Sequence, residues 1–263
     1  MDTGGSKLRI VRAIIQRELL SRYTGDRVGY FWSLLIPLMW VVLIWLFFRL
    51  FNRPLPIDTD VGSFIITGLV PYISFRYTLS AVMRSKLTYA SLFIMPSVNA
   101  EIVCFSVALL EIANAFVIYG VLALGNLVLF GEAAFENGLY IAGGLVLASV
   151  LGSSFAYAFV SFVPNVRFGL RAMQIVVRPL FYTSGVFFIA SELPLVVQDW
   201  LWWNPILHAV EITRTGAFGD FGSRVTQPLM PLAFIAIFLV AGHFASREGG
   251  IFDIGDEREE AFP

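Results

Sequence analysis

The sequence predicts an all-α membrane protein: six transmembrane helices, an amino-terminal amphipathic interface helix, and re-entrant helices between spans five and six. Three observations carry this prediction. Only 14% of the 263 residues are charged and 57% are hydrophobic, with a mean hydropathy of +0.77; a soluble domain averages about 25% charged residues. Charge-poor apolar runs recur along the chain, long enough to cross hydrocarbon at about 20 residues per crossing. Lys and Arg are also distributed unevenly. With the amino end inside, twelve fall on inside segments and three, Arg53, Arg214 and Arg224, on outside segments, which predicts that both termini face the cytoplasm.

Residues 1–29 form the first region. Over residues 7–24, Leu8, Val11, Ile15 and Leu19 fall on one stripe and Arg9, Arg12 and Gln16 on another, the pattern of a basic amphipathic helix lying on anionic lipid. Residues 21–29 read as a surface elbow flanked by Arg22 and Arg27, and Tyr30 and Trp32 stand where aromatic rings mark the lipid–water boundary. The membrane domain is then 30–246. Its spans are expected at 30–50, 61–83, 100–130, 138–163, 172–190 and 225–246, with polar connections at 52–60, 84–99, 131–137 and a basic turn at 164–171. Residues 247–263 form an acidic cytoplasmic tail.

The connection 191–224 is too apolar for a plain loop, yet its runs are too short to span. Ser191-Glu192 reads as one helix start and Asn204-Pro205 as another, with proline at the first helical position. Two short helices dipping back into the outer leaflet fit. Such backbone persists there only when buried in protein or lining a cavity.

The chain lacks the G-x-x-x-x-G-K-[ST] phosphate loop, H-E-x-x-H and G-x-S-x-G. Cys104 is the single cysteine, and His208 and His243 have no partner at ligand spacing, so no metal site and no enzyme chemistry are expected. Nothing points to nucleic acid. The informative charges are Arg76 and Arg178, inside spans two and five, where each costs roughly 2.5–3.5 kcal/mol on insertion scales. Guanidinium binds carboxylates and phosphates bidentately, so these two, with Arg22 and Arg27 at the elbow, are candidates for an anionic sugar or a lipid phosphate. Snorkelling, or pairing with Glu111 of span three, is the alternative for the buried two. Tyr30, Trp32, Trp40, Tyr72, Tyr182, Trp202 and Trp203 can stack on sugar faces while keeping a polar handle, although interfacial anchoring also suits each of them singly.

Arg22, Tyr23, Gly29, Tyr30, Trp32, Pro37 and Leu38 carry a pattern RY-x5-GY-x-W-x4-PL that resembles the amino-terminal signature of ABC-2 transporter permeases. The resemblance continues through Pro164–Arg167, through PLFYTSGV at Pro179–Val186, and through Trp203–Pro205 with Ala209 and Arg214. In appearance the chain is most similar to the permeases that export capsular polysaccharide across the inner membrane of Gram-negative bacteria; O-antigen and teichoic-acid exporters are close rivals. The resemblance implies the ABC-2, or type V exporter, fold and a homodimer. It also implies two separate ATP-binding cassette ATPase subunits that hold ATP and Mg, a lipid-linked polysaccharide substrate, and contacts to periplasmic and outer-membrane capsule export proteins. It puts the coupling helix that rests on the ATPase at about 84–95, where Arg84, Lys86, Leu87, Tyr89 and Phe93 have the composition for docking. A membrane-embedded glycan- or lipid-modifying enzyme and a mere scaffold are the remaining alternatives.

Overall fold

The computed structural model describes residues 3–24, 27–51, 55, 57, 59–94, 98–163, 165–219, 221 and 226–248. The side chains of Arg22, Arg27, Tyr30 and Trp32 lie outside the described residues, as does the acidic tail beyond Glu248. Among the described residues all regular structure is helical. The elements are α1 (Thr3–Thr24), α2 (Arg27–Leu50), α3 (Val61–Thr88), α4 (Ala100–Phe130), α5 (Gly138–Phe162), α6 (Val166–Thr183), α7 (Leu195–Leu201), α8 (Pro205–Ala217) and α9 (Leu229–Glu248), with 3-10 turns at Ala90–Ile94 and Ala190–Glu192. Among the described residues α3, α4, α5 and α9 are long and apolar enough to cross a membrane, and residues 35–50 of α2 form a shorter apolar stretch.

The bundle is built around α3, which packs on α2, α4, α5, α6 and α8 and is buried almost throughout. Asp60 caps it, accepting from the Ser63 amide at 2.9 Å, and Asn126 of α4 donates to the same carboxylate at 3.0 Å. Thr67 and Ser74 return their hydroxyls to carbonyls one turn back, so these two buried side chains need no water. Gly152 lets α5 lie directly on α3: a Cβ there would sit 2.3 Å from the Phe75 carbonyl oxygen. Small residues at such crossings allow the close approach that drives packing in lipid, where hydrophobicity does not distinguish helix from solvent.

The expected boundaries of span three and nearly those of span four are those observed, but α6 differs. The expectation was a span at 172–190 after a turn at 164–171. Instead the Asn165 side chain accepts from the Phe168 amide at 3.0 Å and caps a helix that begins at Val166. That helix ends before Gly185, whose φ of 76° turns the chain back. Val166, Gly169, Met173 and Val177 form its buried stripe. Two further ends shift: α3 runs on to Thr88, into the segment expected to be a separate coupling helix, and α9 begins at Leu229 rather than at 225.

The two short helices expected in 191–224 are α7 and α8. The Asn204 cap is there, accepting from Ile206 N at 3.0 Å with Pro205 in the first turn. α8 is buried nearly end to end, whereas α7 has no buried residue. Arg214, placed by sequence on an outside segment, is buried at 0% exposure. It donates to the carbonyl oxygens of Phe188 at 2.8 Å and Val186 at 3.4 Å. Glu211, one turn earlier and also fully buried, accepts from the Ala190 amide at 3.4 Å. Together the two side chains satisfy backbone groups of the irregular segment after Gly185.

Candidate functional site

Three helices meet around a hollow of about 330 Å³: α2 through Trp40, α3 through Leu69, Tyr72, Ile73 and Arg76, and α6 through Gln174, Val177, Arg178, Phe181 and Tyr182. The Tyr72 hydroxyl donates to the Val177 carbonyl at 2.8 Å and fixes α6 against α3. The Arg76 guanidinium donates to the Gln174 side-chain oxygen at 3.5 Å. Arg76 is half-buried and Arg178 exposed. A second hollow of about 490 Å³ shares Trp40, Phe181 and Tyr182 and adds Leu43, Ile44, Phe47 and Phe187. Phe181 is the hub of this aromatic wall, with ring centroids 5.0 Å from Tyr72, 5.8 Å from Trp40, 5.3 Å from Tyr182 and 5.1 Å from Phe187.

The register sets the relative positions of the charges. The helices run in opposite directions, and the Tyr72–Val177 and Arg76–Gln174 bonds place Arg76 level with Gln174 and Arg178 one turn further along α6, about 6 Å away along the helix. Two cations and an amide beside a cluster of aromatic rings packed edge to face or tilted can bind an anionic group by bidentate hydrogen bonds and an adjacent sugar ring by its apolar face.

The residue pattern of ABC-2 type transporters matches residues 9–218, from α1 through the end of α8. The chain belongs to the ABC-2 type transporter family. It is 28% identical to the capsule polysaccharide export inner-membrane protein CtrC of Neisseria meningitidis serogroup A, covering 89% of this chain and 88% of that protein. It is 27% identical to BexB of Haemophilus influenzae, a protein of the same description, over 81% and 80%. It is 26% identical to the polysialic acid transport protein KpsM of Escherichia coli over 89% of each.

In this ABC-2 chain the expected site residues divide into groups. Arg76, Arg178, Trp40, Tyr72 and Tyr182 come together. Trp202 and Trp203 do not: they pack edge to face at 5.2 Å between α7 and α8. The Trp202 carbonyl accepts from His208 Nε2 at 2.8 Å while His208 Nδ1 accepts from Gln227 N at 3.3 Å, which makes His208 a neutral structural residue. In the expected docking segment Arg84 is exposed, Lys86, Leu87 and Phe93 are half-buried, and Tyr89 is buried. The Tyr89 hydroxyl donates to Glu18 at 2.5 Å and Arg17 lies over its ring at 5.2 Å, so Tyr89 ties the segment to α1 instead of offering a contact surface. Sequence reasoning missed Gln174, Phe181 and Phe187. For Gln174 a signal existed: Arg167, Arg171, Gln174 and Arg178 recur at helical spacing along one side of α6.

Proposed function

We propose that this ABC-2 permease moves a lipid-linked capsular polysaccharide from the cytoplasmic side across the inner membrane of a bacterium. It does so as one of two copies of a six-crossing subunit with both termini in the cytoplasm. ATP and Mg are held by two separate ATP-binding cassette ATPase subunits, which rest on the Arg84–Phe93 region, and the polymer is handed on to periplasmic and outer-membrane export proteins. Arg22 and Arg27 receive the lipid phosphate or first anionic sugar at the elbow. The observation that carries the reading is the meeting of Arg76 and Arg178, a helix turn apart, in one hollow beside the Trp40–Tyr72–Phe181–Tyr182 wall. It suits a moving anionic polymer, since several weak stacking contacts hold without trapping. The capsule-export and polysialic-acid-transport descriptions of the relatives and the absence of a phosphate loop in the chain support it.

The test is surface polysaccharide in cells carrying Arg76→Ala or Arg178→Ala, beside membrane levels of the permease and its co-purification with an ATPase. Export lost with assembly intact is expected; wild-type export by both variants overturns the reading. Chemical analysis of the polymer that accumulates inside separates capsule from O-antigen or teichoic acid.

A further inference from the structure

A third hollow is lined by α4, α5 and α9 and by neither Arg76 nor Arg178. α4 and α9 each pack on α5, and between them runs a groove of about 640 Å³. Its floor and walls are apolar, from Ala108, Leu109 and Ile112 of α4 to Leu239 and Val240 of α9. Phe105 and Phe244, 61% and 62% exposed, stand at its rim. One end is different. There Glu101 of α4 accepts at Oε1 from His243 Nδ1 at 3.2 Å and from the Tyr157 hydroxyl at 3.4 Å. Both bonds use Oε1, and among the described residues Oε2 accepts no hydrogen bond. Glu101 and His243 are 59% and 45% exposed, and among the described residues no Lys or Arg lines the groove. The same end carries α1, which packs on α4 and holds Tyr89 just before it.

We infer that this groove is a phospholipid site, with an acyl chain along α4 and a primary ammonium headgroup, of the ethanolamine class, on Glu101 Oε2. The charge decides the occupant. A carboxylate at the mouth, in a groove whose described lining residues include no Lys or Arg, repels an anionic headgroup and attracts a cation. An ammonium that still carries protons gains a charge-assisted hydrogen bond that a quaternary choline cannot make. The apolar part runs from Glu101 to Ile112, about 16 Å along α4, the dimension of a hydrocarbon tail rather than of a headgroup. His243 and Tyr157 hold the carboxylate in place and leave one oxygen facing out. This site does not depend on which polymer the permease carries.

The full chain, purified in detergent, is offered mixed micelles with equal amounts of phosphatidylethanolamine, phosphatidylcholine and phosphatidylglycerol, and retained lipid is counted by native mass spectrometry. Phosphatidylethanolamine is expected about three- to five-fold enriched over phosphatidylcholine, the size of a partly exposed ion pair, and Glu101→Gln is expected to bring the two to parity. The exposed, isosteric change leaves folding intact, which the elution profile checks. Equal retention by the wild type, or unchanged enrichment in Glu101→Gln, overturns the inference. A photo-crosslinking amino acid at Leu109 identifies the occupant independently: a lipid adduct is expected, and an adduct to a second copy or another protein overturns the assignment.

Discussion

Arg214 of α8 stands over the ring of Phe64 of α3, its guanidinium carbon 4.3 Å from the ring centroid. The same guanidinium holds the Val186 and Phe188 carbonyls, so one side chain joins the central helix, the return loop and the second short helix. Gly68 makes room for it: a Cβ there would lie 2.8 Å from Nη2. Arg214→Met is expected to destabilise the protein by about 3 kcal/mol or more, because it strands two carbonyls and leaves Glu211 as a buried charge. Arg214→Lys retains the charge but not the fork and is expected to fall between. Denaturation midpoints in detergent, followed by tryptophan fluorescence, check both.

Close packing of α3 on α5 predicts a second effect. Gly152→Ala puts a methyl against the Phe75 carbonyl and should cost about 1–3 kcal/mol. Gly152→Leu should prevent assembly altogether, seen as loss of the folded peak in size-exclusion chromatography. An unaltered midpoint for the alanine variant would mean that the helices separate at little cost.

Gln174 gives a graded test of the candidate site. Gln174→Leu removes the Arg76 partner but leaves both guanidiniums. Export should fall without being abolished, in contrast to Arg76→Ala. Quantifying surface polymer in the two strains side by side distinguishes an orienting amide from a passive neighbour.

Tyr89 and Glu18 link the end of the α3 segment to α1. Tyr89→Phe removes that bond, at about 1 kcal/mol, and keeps the ring beneath Arg17. Faster proteolysis within α1 is expected, together with weaker export at unchanged membrane levels. Glu18→Gln should show the same pattern to a smaller degree.

Much of the fold is legible in the sequence where an apolar run and a cap agree. Residues 100–130 are such a case, closed by Gly131 with a φ of 76°. α6 was harder because Arg167 and Arg171 lower its hydropathy and look like a turn, while the Val166–Gly169–Met173–Val177 period already says helix. Arg76 and Arg178 could be found from rarity alone, since charge within a span is expensive. Phe181 could not: it is one of 25 phenylalanines, and only the crossing of α2, α3 and α6 makes it a hub. By sequence, Arg214 is one of three cations on outside segments. Its partners are backbone carbonyls 26 and 28 residues away, which leave no mark in local sequence. The Glu101–His243 pair, 142 residues apart, was invisible for the same reason.

α7 and α8 are unequal neighbours, one without a buried residue and the other sunk in the bundle with two ions fastening it. α7 is therefore held to the rest of the protein along one edge only. Displacing it with Trp200 and Trp203 breaks few contacts, while α8 stays fixed, and no long helix has to move with it.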